Sequence, residues 1–186
     1  MSGADGMSGD GEMSEPTMAA SGQEEAGAPA ASGGSQVEAR LAGLQLALPP
    51  VAAPVASYVP ALEHAGLVYT SGQLPFVEGA LPATGKVGGE VGQDDATAFA
   101  QIAGLNALAA VKSVLGDLDR VERVVKLTVF VNSAPGFTAQ SAVANGASDL
   151  LETAFGERGL HARSAIGVAE LPLGSPVELE LVVAVK

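Results

Sequence analysis

The chain has 186 residues, with 9 Lys and Arg against 21 Asp and Glu, a formal net charge of -12. That balance argues against nucleic acid as the main partner, because phosphate backbones are met by clustered Lys and Arg. The absence of Cys excludes disulfides, thiolate catalysis and Cys-ligated metals, and 2 His leave little room for a His-rich metal site.

Hydrophobic residues make up 47% of the chain but aromatics only 4%, with no Trp, so the expected core is Ala, Val and Leu in close backbone packing. Gly, Pro or charge interrupts the apolar runs before the roughly 20 residues of a membrane span. Residues 1–36 are mainly Gly, Ser, Ala, Asp and Glu. They hold six acids (Asp5, Asp10, Glu12, Glu15, Glu24, Glu25), no base, and all four Met of the chain. Such a segment has too little apolar surface to offset its ordering entropy and reads as a disordered acidic leader, or as an interaction tail. It lacks the basic start and apolar stretch of a secretory signal.

Residues 37–186 read as a folded domain. Val37, Leu41, Leu44 and Leu48 stand at helical spacing, and Pro49-Pro50 stops that pattern. Val51–Val59 reads as an extended connection. Leu67–Ser71 is a short strand that the segment around Ser57-Tyr58-Val59 could join as a hairpin, with turn residues at His64-Ala65-Gly66. After a Gly-rich loop, Glu78–Gly92, comes the strongest element, a helix over Asp94–Leu115. Asp94 or Asp95 is placed to cap it and Gly116 to end it. Val121–Val131 is a β-branched strand, and Pro135–Phe155 a second helix weakened by Gly146. Arg163–Leu171 and Val177–Val185 are two further strands, expected to pair as a hairpin. In the last, Val177, Leu179, Leu181 and Val183 form one face and Glu178 and Glu180 begin the other. Two helices on one face of a mixed sheet make an α+β layer fold, whose second face needs cover, commonly from other copies of the chain.

Arg163 is the first candidate for chemistry. A guanidinium among small and apolar neighbours needs an anion, and its planar fork matches a carboxylate. The partner is either a Glu of this or a neighbouring chain, or a ligand. Glu178 is the second: close to a carboxylate-binding Arg it could orient a water, with Glu180 as its competitor on the same face. Tyr58 and Thr70-Ser71-Gly72-Gln73 come third, since Gly72 lets backbone amides approach a ligand. No Walker spacing, Gly-x-Ser-x-Gly or telling His context is present.

These pieces together resemble the RidA family, also called YjgF, of reactive intermediate deaminases, from about Val51 onward. The resemblance rests on Ser57-Tyr-Val59 with Leu67-Val-Tyr-Thr-Ser-Gly-Gln-Leu-Pro75, on Val125–Val131, on Ala162-Arg-Ser164 with Glu170-Leu-Pro172, and on Val177-Glu-Leu-Glu180. It implies a chorismate-mutase-like α+β unit that forms homotrimers with active sites between subunits. It also implies cytoplasmic hydrolysis of enamines and imines such as 2-aminoacrylate to 2-keto acids and ammonia, without metal or cofactor. Arg163 would bind the substrate carboxylate and Glu178 would position water. Tyr58, Ser71, Gly72, Asn145 and Ala165 would line the pocket. The chain departs from the family pattern with Ala165 where Cys is frequent, Gly167 where Glu is frequent, and His161 before Ala162-Arg163-Ser164. The alternative is a non-catalytic module of the same fold that binds small carboxylates. The endoribonuclease activity sometimes ascribed to the family fits the acidic balance poorly.

Overall fold

The computed structural model describes residues 35–51 and 57–186. The expected leader, apart from Ser35 and Gln36, and the middle of the Val51–Val59 connection lie outside them. The elements are helix α1 (Gln36–Gly43), strands β1 (Ala61–His64) and β2 (Leu67–Thr70), helix α2 (Gln93–Leu115), strand β3 (Val121–Asn132), helix α3 (Gln140–Phe155), and strands β4 (Ala162–Val168) and β5 (Val177–Val185). The 5-stranded sheet runs β1-β2-β5-β3-β4. The β3–β4 pair is parallel and the other pairs are antiparallel. This is the expected mixed α+β fold.

The order corrects one expectation with consequences for the site. The Arg163 strand does not form a hairpin with the last strand. β4 lies at the edge against β3, with Leu127 opposite Arg163, and β5 inserts between β2 and β3. Burial decides the arrangement. β3 and β5 carry Val and Leu in alternation and take central places, whereas β4 reads Ala-Arg-Ser-Ala-Ile-Gly-Val and has no fully buried residue. The segment 169–176 carries the chain past the end of β3, where buried Asn132 pins it. The Asn132 N–H donates to Pro176 O at 3.0 Å and its Nδ2 donates to Ser175 O at 3.2 Å, while Lys86 Nζ donates to its Oδ1 at 3.1 Å.

The core lies between the sheet and the helices. Val177, Leu179, Leu181 and Val183 of β5 and Val124, Leu127, Val129 and Val131 of β3 meet a small-residue face of α2 (Ala100, Ala103, Ala107, Ala110) and α3 (Ala144, Ala147, Leu150, Leu151). Gly146 proves necessary inside α3, since a Cβ there would stand 1.9 Å from the Thr97 carbonyl oxygen of α2. Among the described residues α2 is the one helix long and apolar enough to cross a membrane, with mean hydropathy 1.4, but 56% of that window is buried within the domain, as in a core helix.

Element ends differ from the sequence pattern for local reasons. α1 stops at Gly43 in a Schellman motif: Gln45 has φ +61°, its N–H donates to Ala42 O, and Leu46 N–H donates to Leu41 O. Leu46 and Leu48 then pack on the core from irregular backbone. Ser35 and Gln36 begin α1, so the folded part starts before Val37. The Asp119 carboxylate accepts from the Gln36 and Val37 amides at 2.8 and 3.1 Å. Burial pushes that carboxyl up, but these amides, the Ser35 hydroxyl and Arg158 outweigh it and hold it below its ordinary range. The hairpin turns at Ala65-Gly66 (φ +51° and +76°), a two-residue turn that pairs His64 with Leu67 directly. Its first strand is therefore Ala61–His64, and Ser57-Tyr58-Val59 lies beyond Pro60. Gly92, not Asp94 or Asp95, precedes α2, and the two acids sit in its first turn, where they face its positive end. α3 starts at Gln140 because Pro135-Gly136 makes a turn, with Gly136 at φ +83°.

Candidate functional site

Arg163 lies on the helix side of the sheet edge. Its Nη1 donates to Asn145 Oδ1 at 2.8 Å and to Ser148 Oγ at 3.0 Å, and its Nη2 donates to Ser141 O at 3.2 Å. All three acceptors are neutral and all come from α3. The salt bridges among the described residues are Lys86–Glu170 and Lys112–Glu38, so no carboxylate there balances Arg163. Three of five guanidinium N–H groups are engaged, and Nε–H is among those left for a ligand. The arginine is thus fixed in orientation while its charge is unspent. Ala165, two residues on, faces the same way with its side chain against the core, so only its backbone can reach a ligand. Ser148, Glu152, Gly159, Leu160, His161 and Arg163 line a pocket of about 200 Å³. A larger hollow of about 460 Å³ between Pro49-Pro50 and the end of α2 has Lys112 as its one ionisable lining residue, already paired with Glu38.

Glu178 stands on the opposite face, near the start of β5. Gly72 is pressed against it: a Cβ on Gly72 would lie 1.8 Å from Glu178 Oε1, so only glycine leaves the carboxylate in place. The adjoining Gln73 exchanges backbone hydrogen bonds with Leu179 at 2.8 and 3.0 Å, which locks the two segments together. Burial, and then the neighbouring Glu180, raise the Glu178 carboxyl above the ordinary glutamate range, the direction that strengthens it as a proton acceptor. Ser71 Oγ donates to Val59 O at 2.7 Å, which holds the Tyr58 segment beside this end of β2, and Tyr58 itself is 48% exposed.

Within one chain the predicted residues therefore form two groups. Arg163, Asn145 and Ala165 gather at β4 and α3. Glu178, Gly72, Ser71 and the Tyr58 segment gather at β5 and β2. Glu178 pairs with Phe130, which pairs with Ile166, and Arg163 is three residues back along β4 on the other face. At ordinary sheet spacings that is roughly 14 Å of backbone separation, so the expected approach of Glu178 to Arg163 within a chain does not occur. Sequence reasoning missed Ser141, Ser148 and His161 as companions of Arg163. A polar Ser141–Asn145–Ser148 series at helical spacing was the available signal. Among the described residues no cluster of three or more His, Cys, Asp or Glu could hold a metal ion.

The site thus sets a guanidinium at the edge of an α+β sheet and a half-buried carboxylate on its other face. Residues 50–185 match the family described as Endoribonuclease L-PSP, and the chain belongs to that family, the RidA/YjgF family. It is 47% identical to Protein TCP17 of Trypanosoma cruzi over 149 residues, covering 80% of this chain and 93% of that one. Among solved structures it is similar to the protein Atu1372 of Agrobacterium tumefaciens, with 43% identity and TM-score 0.76 over 81% of this chain and 92% of that one. It is also similar to the YjgF gene product of E. coli, with 26% identity and TM-score 0.53 over 74% of this chain and 93% of that one.

Proposed function

We propose that the protein hydrolyses small enamines and imines of the 2-aminoacrylate type, as 2-iminobutanoate and 2-iminopropanoate deaminases do, giving 2-keto acids and ammonia. The observation that carries this reading is Arg163: fixed by three neutral acceptors, without a carboxylate partner among the described residues, and open at Nε–H. Its free donors take the substrate carboxylate, with Asn145 holding the guanidinium in place. The iminium carbon is already electrophilic. Glu178 accepts a proton from water as the water oxygen bonds to that carbon. Glu178 then returns that proton to the carbinolamine nitrogen, the C–N bond breaks to release ammonia, and the hydroxyl gives up its proton to solvent as the carbonyl forms. These steps need no cofactor.

The two groups of residues sit on opposite faces of one sheet, so this chemistry takes Arg163 from one subunit and Glu178, Gly72, Ser71 and Tyr58 from the next, in a homotrimer. The open sheet face supports such an assembly, for it exposes Leu62, Tyr69 and Ile166. The acidic net charge speaks against nucleic acid as substrate, and the cysteine-free chain suits the cytoplasm. The test is an imine-hydrolysis assay in which an amino-acid oxidase generates imines from a panel of amino acids, with wild type and Arg163→Ala compared at equal trimer concentration. Arg163-dependent turnover supports the reading; full activity of the variant refutes the site.

The separation of Glu178 from Arg163 within the chain also supports a second reading, a non-catalytic module that binds small carboxylates through Arg163 alone. That module would bind 2-keto acids in an Arg163-dependent way and turn over no imine.

A further inference from the structure

The pocket beside Arg163 contains a hydrogen-bonded run that the proposed chemistry leaves unused. His161 Nδ1 lies 2.6 Å from the carbonyl oxygen of Gly159, and Nε2 lies 3.1 Å from Ser148 Oγ. A carbonyl oxygen only accepts, so Nδ1 carries the proton of the neutral imidazole. Nε2 is then an acceptor, and the Ser148 O–H donates to it. Ser148 Oγ is left with lone pairs alone, one of which takes the Arg163 Nη1–H at 3.0 Å. One carbonyl thus fixes the direction of every bond from Arg163 through Ser148 and His161 to Gly159. The run also ties α3, which carries Ser148, to the start of β4.

We propose that Ser148 and His161 are positioning residues for Arg163, and that they make its site a receptor for small 2-oxo or 2-imino carboxylates whose grip tightens when His161 is protonated. The proposal rests on the reading that Arg163 takes the ligand carboxylate. When Nε2 gains a proton it becomes a donor. Ser148 Oγ then accepts from both Nε2–H and Nη1–H. The serine's own proton, having lost its acceptor, turns toward the pocket. The pocket gains one positive charge and one O–H donor, and both favour a bound carboxylate.

The other ionisable residues lining the pocket are Arg163 of β4 and Glu152 of α3; the turn between α3 and β4 contributes Gly159 and Leu160. Lys126 of β3 is opposite Ala162 in register, and its Nζ bonds Ser164, which neighbours Arg163 in β4 and so lies on the other sheet face. Guanidinium groups and ordinary carboxylates keep one charge state between about pH 6 and pH 8, and histidine is the side-chain type whose charge changes there.

The test is calorimetric titration of the full chain with pyruvate at about pH 6, 7 and 8, for wild type, His161→Gln, Ser148→Ala and Arg163→Ala. Wild-type binding should tighten roughly tenfold from about pH 8 to about pH 6, as one new charge-assisted contact would give. The dependence should vanish in His161→Gln, whose amide keeps one charge state across this range, and should shrink to about twofold or threefold in Ser148→Ala. An undiminished pH dependence in His161→Gln overturns the proposal, and His161→Asn serves should the first variant not fold. Wild-type affinity in Arg163→Ala, or no pyruvate binding by wild type, instead refutes the carboxylate reading beneath it. Long-range proton–nitrogen spectra of the imidazole then decide the relay independently: the Nδ1–H tautomer supports it and the Nε2–H tautomer overturns it.

Discussion

The two polar groups flanking the sheet are built on opposite principles. Around Arg163 every acceptor bonded to the guanidinium is neutral, so position is fixed and charge is left over. Around Glu178 the carboxylate is wedged against Gly72, half-buried and next to Glu180, so charge is discouraged and position is fixed by steric fit. One group wants an anion and the other wants a proton. On the proposed function, neither completes the reaction alone, and together they supply both requirements of imine hydrolysis.

Removing either speciality should show. Arg163→Ala should lower kcat/KM about a thousandfold, the loss of a charged bidentate contact, with the circular-dichroism spectrum and oligomer unchanged. Gly146→Ala tests the platform instead. Its Cβ meets the Thr97 carbonyl, so denaturant titration should find about 3 kcal/mol of destabilisation, with Asn145 and Ser148 displaced along with α3. Gly72→Ala should cost roughly 30-fold in kcat while moving Tm little, because the added methyl pushes a flexible Glu178 side chain aside rather than backbone. A crystal structure of that variant with the carboxylate unmoved would contradict the wedge.

The smallest effect is on stability. Burial and Glu180 raise the Glu178 carboxyl, so the folded state holds its proton longer than the unfolded state does. The contribution of this group to stability is full below the ordinary glutamate range and is lost as pH rises through the raised value. Glu178→Gln escapes that loss. Its Tm should exceed wild type by about 1–3 °C at neutral pH and converge with it in acid, as scanning calorimetry at several pH values would show.

The chain reveals its layers more readily than its neighbours. The alternation in Val177–Val185 and the apolar face of Asp94–Leu115 are local, and both formed as read. The partner of the Arg163 strand is not a local property. A short Pro-rich connection suggests a hairpin, and only the burial demanded by β3 and β5 sends β4 to the edge. Arg163 and Glu178 stand out as candidates through their neighbours and through family motifs. Ser148 and His161 do not, because their meeting depends on where the turn after α3 places Gly159. Leu44 and Leu48 keep helical spacing although α1 ends at Gly43 and Gln45 turns the chain left-handed, since spacing does not register a left-handed residue.

The position of β5 carries a consequence for how the domain comes into being. The last strand in chain order joins β2 to β3, so until it docks, β1-β2 and β3-β4 are separate ribbons. Synthesis delivers this connector after the other described elements. A nascent chain therefore carries two unsatisfied edges, which neighbouring chains can occupy before the native strand arrives. A cell making this protein quickly should see misassembly governed by the timing of β5 rather than by the strength of the finished core.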